Sequence, residues 1–341
     1  MKNERSLFKT GKIQRYRLSG TEKAPGCPGR YSRSGALGSV SANELARAGV
    51  GFLRLIDRDY VELSNLQRQV LYDEQDAREG APKAIAACEH LKRINSEIIT
   101  EPVLEDFNAG NAASLIKDID VVVDATDNFE TRYLINEVCV EYRIPWIYGA
   151  ALESYGMTMN FLPDGPCFTC FTEQTGAESF DGTCETCSSA GVLNAVTAVI
   201  ASYQSAEAVK IIVGSDDVCR DLRVIDLWDN HFDSVSVIKN ESCPICSGRE
   251  YHYFGKVSGI QTDRLCGRDS IQVVPPEKRN MDFEKLGEKL KTLGSVSVGR
   301  FTLDFDSPSA SFKLFRDGRA IVRRVESEGR AKSVYAEYIG F

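Results

Sequence analysis

The chain has 341 residues, enough for two domains, with 43% hydrophobic residues for their cores and a formal net charge of −8. That acidic balance argues against a nucleic-acid partner, and the lack of an apolar run of about 18 residues argues against a membrane span. Residues 1–30 show no apolar signal segment, so the expected compartment is the cytoplasm, where 11 cysteines point to metal binding or catalysis rather than disulfides.

In chain order, the first informative stretch is a glycine turn. Ser34-Gly35-Ala36-Leu37-Gly38-Ser39 opens a helix expected over 39–48 and ended by Gly49. Such a turn can cradle phosphate with backbone N–H groups and the helix dipole. Gly35 and Gly38 are in place, but Arg33 fills the first position of G-x-G-x-x-G. Next comes an apolar run, Val50 to Ile56, ending in Asp57, as a buried parallel strand delivers a carboxylate to the ligand edge of a sheet. The following turn, DRDYVELSNLQRQ (57–69), suits a nucleotide, with Asp57 on ribose hydroxyls and Asn65 and Arg68 on phosphates. An ordinary polar loop after a strand has a similar composition.

A helix is expected over 82–94, with Lys83 at its start as a phosphate contact or a merely solvated lysine. An extended segment 98–104 and a helix 108–117 follow, then a strand 119–124 leading into Asp124-Ala125-Thr126-Asp127-Asn128. Asp127, past the strand's tip, is placed to ligate Mg²⁺ beside a triphosphate. A helix 130–142, strands 145–149 and 155–162, and a long, nearly uncharged helix 191–213 complete the alternation. It predicts an α/β fold: a doubly wound, mostly parallel, Rossmann-like sheet with helices on both faces.

Two C-x₂-C pairs, Cys167/Cys170 and Cys243/Cys246, have 72 residues between them. Together they can close a tetrahedral Zn²⁺ site, structural because no coordination position stays open; buried free thiols are the alternative. A third pair, Cys184/Cys187, lies between them in a Gly-, Ser- and Thr-rich loop. The three histidines, His90, His231 and His252, fall outside every motif and read as surface or packing residues.

After Cys246 the composition shifts, and 250–269 reads as a linker. A small α+β domain follows over 270–341. Its expected elements are strands 270–274, 296–305, 311–315 and 319–323, with Asp317-Gly318 as a hairpin turn, and helices 282–293 and 326–338.

GALGS (35–39), ARAGVG (46–51), VELSNLQRQ (61–69), DATDNFETR (124–132), AGVL (190–193), EAVK (207–210) and CPIC (243–246) occur in this order. The stretch from Gly35 to Gly248 resembles the ThiF/MoeB/HesA family, bacterial relatives of ubiquitin-activating enzymes. The resemblance implies an adenylation domain over 35–249, acting with ATP and Mg²⁺ on the C-terminal glycine of a small ubiquitin-like sulfur carrier that ends in Gly-Gly. It implies Asp57 as the ribose ligand, Asn65, Arg68 and Lys83 as phosphate ligands, and Asp127 as the Mg²⁺ ligand. It also implies a homodimer and a cysteine desulfurase as sulfur donor. Cys187 matches a cysteine that takes part in sulfur transfer in ThiF-like members; an inert thiol, or metal binding with Cys184, stays open. Thiamine thiazole synthesis is the leading pathway, with a molybdopterin-type carrier or a catalytically impaired carrier-binding scaffold as alternatives.

Residues 1–34 depart from the pattern. Gly26 to Ser34 (GCPGRYSRS) is polar where a first apolar strand belongs. The family's opening Arg-Tyr-x-Arg-Gln helix has only an echo in Arg15-Tyr16-Arg17. Codons permitted for 29–34, read one base later, give Val-Val-Ile-Val-Gly-Val, which restores both the strand and the missing glycine in register. A frameshifted segment is therefore the expectation, and the bases of codons 20–34 test it.

Overall fold

The computed structural model describes residues 30–32, 35–176, 191–255, 262–264, 270–275, 280–325 and 327–340. The chain divides into two compact units, 1–74 with 82–256 and 75–81 with 257–341.

The first unit is built on an eight-stranded sheet. Its elements begin with β1 (Arg30–Ser32), α1 (Ala36–Arg47), β2 (Phe52–Ile56), the short α2 (Glu74–Glu79, which crosses to the second unit), α3 (Lys83–Ile94) and β3 (Ile99–Val103). They continue with α4 (Ala112–Ile116), β4 (Val121–Val123), α5 (Phe129–Tyr142), β5 (Trp146–Leu152), β6 (Tyr155–Phe161), α6 (Phe168–Thr175), α7 (Asn194–Val213), β7 (Leu222–Asp226) and β8 (His231–Val235). The strand order is β3-β2-β1-β4-β5-β6-β7-β8. Pairing is parallel from β3 through β5 and antiparallel from β5 through β8. Val121, Val122 and Val123 are all fully buried, as a central parallel strand covered on both faces requires.

One face carries a core of Ile116, Leu134, Ile135, Val138, Trp146 and Phe168. On the other, Leu37 and Val40 of α1 meet Val196, Ile200 and Ala201 of α7. Gly156 is required there: a Cβ on it would stand 2.5 Å from Ile200 Cγ1, so only glycine lets α7 lie against β6. By length and composition α7 could cross a bilayer, contrary to the expectation that no such run exists, but it packs along α1 and β5 as a core helix.

The first strand corrects the sequence reading. The polar Arg30–Ser32 backbone occupies the central slot, with Tyr31 opposite Arg54 and Val122. Ladder hydrogen bonds come from the backbone, so two committed neighbours can recruit a segment of poor strand propensity. Sequence periodicity also missed α2, α6, β7 and β8. All five residues of β8 are exposed, so no apolar alternation marks it.

The second unit is an antiparallel sheet of β9 (Thr262–Arg264), β10 (Ser270–Val273), β11 (Ser295–Val298), β12 (Thr302–Asp306), β13 (Ser311–Phe315) and β14 (Ala320–Arg323) in the order β11-β12-β13-β14-β10-β9. Helices α8 (Phe283–Leu290) and α9 (Glu328–Tyr338) close its core through Phe283, Val334 and Tyr335 against Ile271, Leu303, Phe312 and Val322. The strand expected over 296–305 is a hairpin instead, turned where Gly299 N–H donates to Thr302 O at 2.8 Å. Gly318 takes φ 91° in the expected Asp317-Gly318 turn, and Tyr335 Oη donates to its carbonyl at 2.6 Å. Part of the expected linker is structured. The backbone N–H groups of His252, Tyr253 and Phe254 donate to buried Glu137 at 2.7–2.8 Å, and β9 pairs with β10.

Candidate functional site

β1, β2 and β4 are adjacent and parallel, so the segments that follow them leave the same edge of the sheet. The chain turns one way from β1 to β2 and β3, and the other way into β4 and β5. The crevice between β1 and β4 is thus the switch point where open α/β sheets bind ligands. Gly35 follows β1, Asp57 follows β2, and Asp124 to Asn128 follow β4.

Gly35 is the N-cap of α1 and makes no side-chain cap bond, and the first helical bond runs from Ser39 N–H to its carbonyl. The N–H groups of 36–38 thus precede the intrahelical ladder, as anion recognition requires. A Cβ on Gly35 would lie 3.8 Å from Ala125 O, which places this turn beside the β4 loop. Gly38 is buried inside α1, one turn further on.

Asp57 is 2% exposed, and its Oδ1 accepts from Asp59 N–H at 2.8 Å, so the carboxylate folds its own loop back. Asp59 then reaches Lys83 twice: its carbonyl accepts from Lys83 N–H at 2.8 Å and its Oδ2 faces Lys83 Nζ at 3.3 Å. Lys83 is buried at the start of α3, not solvated. Asn65 ends a 3₁₀ turn, Leu63–Asn65, and Arg68 one turn later donates from Nη1 to Ser64 O at 3.2 Å. Past β4, Asp124 is fully buried, while Asp127 is exposed with Asn128 Nδ2 3.5 Å from its Oδ1. Asn128 caps α5 by accepting from Thr131 N–H at 2.8 Å.

Sequence reasoning missed two charged residues in this region. Asp59, which holds Lys83, sits in the quoted motif two residues after Asp57. Arg132 closes DATDNFETR and pairs with Asp124 at 3.1 Å; its i+8 spacing from Asp124 gave no sign of contact.

The four outer cysteines converge. Cys167 and Cys170 open α6, and Cys243 and Cys246 lie in the loop after β8. The Sγ atoms of Cys167 and Cys170 are 3.9 Å apart, Cys167 and Cys243 3.7 Å, and Cys170 and Cys246 3.7 Å. All four sulfurs lie within 4.8 Å of one another. Zn–S bonds of about 2.3 Å in a tetrahedron put sulfurs about 3.8 Å apart, so the geometry fits Zn²⁺. Asn240 N–H donates to Cys170 Sγ at 3.5 Å. A hydrogen bond from Cys167 holds the Cys170 thiol well below the ordinary thiol range, and burial pushes the Cys246 thiol above it. Cys184 and Cys187 lie outside the described residues.

The family model described as "ThiF family" matches residues 34–245. The chain belongs to the ThiF family. It is 36% identical to the sulfur carrier protein ThiS adenylyltransferase of Bacillus subtilis, over 97% of this chain and 100% of that one. It is 34% identical to the adenylyltransferase and sulfurtransferase MOCS3 of Culex quinquefasciatus, over 72% of this chain but only 56% of the relative. Among solved structures, E. coli MccB with AMPCPP and MccA shares the fold at TM-score 0.58 and 22% identity, covering 66% of this chain and 68% of that one. The ThiF-family match spans β4, the loop behind it and both halves of the cysteine cluster up to Ile245, and stops before the second unit's six-stranded sheet.

Proposed function

We propose that this ThiF-family chain is an adenylyltransferase that activates the C-terminal glycine carboxylate of a ubiquitin-like sulfur carrier of the ThiS type. The observation that carries the reading is the full-length similarity to a ThiS adenylyltransferase, second unit included, and a switch-point crevice followed in the chain by Gly35, Asp57 and Asp127 supports it. In this reading Asp57 binds the ATP ribose, the α1 N-terminus with Gly35 and Gly38 receives phosphate, and Asn65, Arg68 and Lys83 neutralise phosphate oxygens. Asp127 is the residue that would hold Mg²⁺, which supplies further charge neutralisation when bound. The carrier carboxylate attacks the α-phosphorus and pyrophosphate leaves. The nucleophile is already an anion, so the chain has to supply position and positive charge rather than a base. Lys83 suits this task because burial strengthens its field and Asp59 keeps it aimed.

Zn²⁺ in the four-cysteine cluster ties α6 to the loop after β8 and is structural, with every coordination position filled by sulfur. The carrier has an apolar landing area. Gly156 faces α7 and is in register with Ile225 and Phe232, so Phe232 projects on the α7 side of the sheet. Phe232 is exposed there, as are Leu193 and Tyr203 of the α7 region and Trp228 in the β7–β8 turn. A homodimer, a cysteine desulfurase as sulfur donor and a cytoplasmic location belong to the same reading.

A carrier of the MoaD type, serving molybdopterin synthesis, is the second reading, favoured by the MOCS3 similarity but covering about half of that relative. The test is intact-mass analysis of a Gly-Gly-tailed carrier incubated with this protein and Mg·ATP. An added adenylyl mass on the carrier supports the proposal. An unmodified carrier, with protein that is folded and zinc-loaded, overturns it.

A further inference from the structure

The β4 loop carries the proposed metal-binding carboxylate, yet Asp127 itself is exposed and sits in no regular element. Something must fix its position before ATP arrives, because a site displaced by about 1 Å loses much of its rate. Arg132 is built for this. It lies in the first turn of α5, is 6% exposed, and its guanidinium turns back over its own helix N-terminus. Nε donates to Asp124 Oδ2 at 3.1 Å, while Nη2 donates to Thr126 O at 2.8 Å and to Gly149 O at 3.1 Å. The fork thereby bridges both ends of the Asp124–Thr126 segment and the neighbouring strand β5. Rings lie on two sides, Tyr148 at 5.0 Å and Phe129 at 5.6 Å from the guanidinium carbon.

A second device acts on the same segment. Asp124 Oδ1 accepts from Thr126 N–H at 2.7 Å, and Gln204 Nε2 of α7 donates to Asp124 O at 2.6 Å. Asp127 is thus one residue beyond a stretch pinned from α5, β5 and α7. Arg132 also feels the charge of Asp127: burial disfavours its cation, but Tyr148, Asp124 and Asp127 together raise its pKa above the ordinary value.

We infer that Arg132 is a positioning residue that sets the β4 loop, and through it Asp127, for binding the metal that accompanies ATP. This rests on the reading of Asp127 given above. A lysine at position 132 keeps the charge beside Asp124 but cannot fork to two carbonyls.

The test is calorimetric binding of AMPCPP to the full chain at a series of Mg²⁺ concentrations, for wild type, Arg132→Lys and Asp124→Asn, with zinc content and melting as controls of folding. Losing charge-assisted hydrogen bonds on this scale raises the half-saturating Mg²⁺ about tenfold in Arg132→Lys, with metal-free nucleotide affinity changed less than about twofold. Asp124→Asn retains the carbonyl bonds, so its shift is smaller, about threefold. Where Arg132→Lys does not fold, Asp124→Asn decides alone. A folded variant with lowered melting but wild-type Mg²⁺ dependence shows a merely structural arginine and overturns the inference, leaving the adenylation reading intact. Wild type that binds no nucleotide contradicts that reading itself and the inference with it.

Discussion

Arg30–Ser32 occupies the most demanding position in the sheet, and replacing it tests how much the polar strand costs. Its register partners are Val121 and Val122, both fully buried, Leu55, 1% exposed, and the half-buried Arg54, which pairs with Glu101. A central parallel strand between such neighbours is covered on both faces, a setting that suits apolar residues. The triple substitution Arg30→Val, Tyr31→Ile, Ser32→Val leaves the backbone ladder in place and supplies the apolar side chains of the shifted reading. A fully buried Val or Ile contributes about 1.5–3 kcal/mol each, so three of them, discounted for an already compact unfolded chain, stabilise by about 3–6 kcal/mol. At a urea slope of about 2 kcal/mol per molar, the midpoint rises by about 1.5–3 M. The assay is urea unfolding followed by circular dichroism, with zinc content measured in parallel. An unchanged or lower midpoint in a zinc-loaded, cooperatively folding variant would refute the claim that this strand is a weak point; the frameshift expectation itself is decided by the bases of codons 20–34.

Three further outcomes follow from the geometry and a fourth from the sequence. Lys83→Ala removes the buried cation beside Asp59, and carrier-dependent pyrophosphate exchange should fall about 10²-fold with zinc content unchanged; a loss under threefold contradicts a phosphate role. Cys243→Ser should lower bound zinc from one equivalent to near zero and reduce the melting temperature by roughly 5 °C or more. Glu137→Gln replaces a carboxylate that accepts three backbone N–H groups, and should cost about 2–4 kcal/mol and speed amide exchange at 252–254; normal protection there would show that the clasp is dispensable. Cys187→Ser should leave adenylation intact and abolish thiocarboxylation of the carrier in a reconstituted sulfur-transfer system, and full thiocarboxylation would exclude a role for that thiol.

The parallel half of the fold was legible because its strands are short apolar runs and its helices are amphipathic. Helix 82–94 and strand 98–104 lie within a residue of the observed α3 and β3. The antiparallel half was less so. Strand β8 is wholly exposed, and β7 is marked by only two buried residues, Leu222 and Ile225. The proposed nucleotide residues could be named because Gly35, Asp57 and Asp127 lie just behind strand tips and Asn65 and Arg68 share a compact motif with Asp57, whereas their support could not. Arg132 reaches Asp124, Thr126 and Gly149 through a turn that folds the chain back, a relation that no period of 2 or 3.6 encodes. The cysteine cluster was readable from two C-x₂-C pairs together with the family resemblance, which favoured them over the third pair, Cys184/Cys187. What spacing withheld is that the segment after it is pinned to α5 by Glu137, through backbone donors that any sequence would present.

The most direct test of the account is carrier-dependent ATP–pyrophosphate exchange by the purified, zinc-containing protein, run with a ThiS-type and then a MoaD-type carrier. The account predicts exchange that requires Mg²⁺ and the carrier's terminal glycine, faster with the ThiS-type partner. Absence of exchange with both carriers, from protein that is folded and binds ATP, would contradict it.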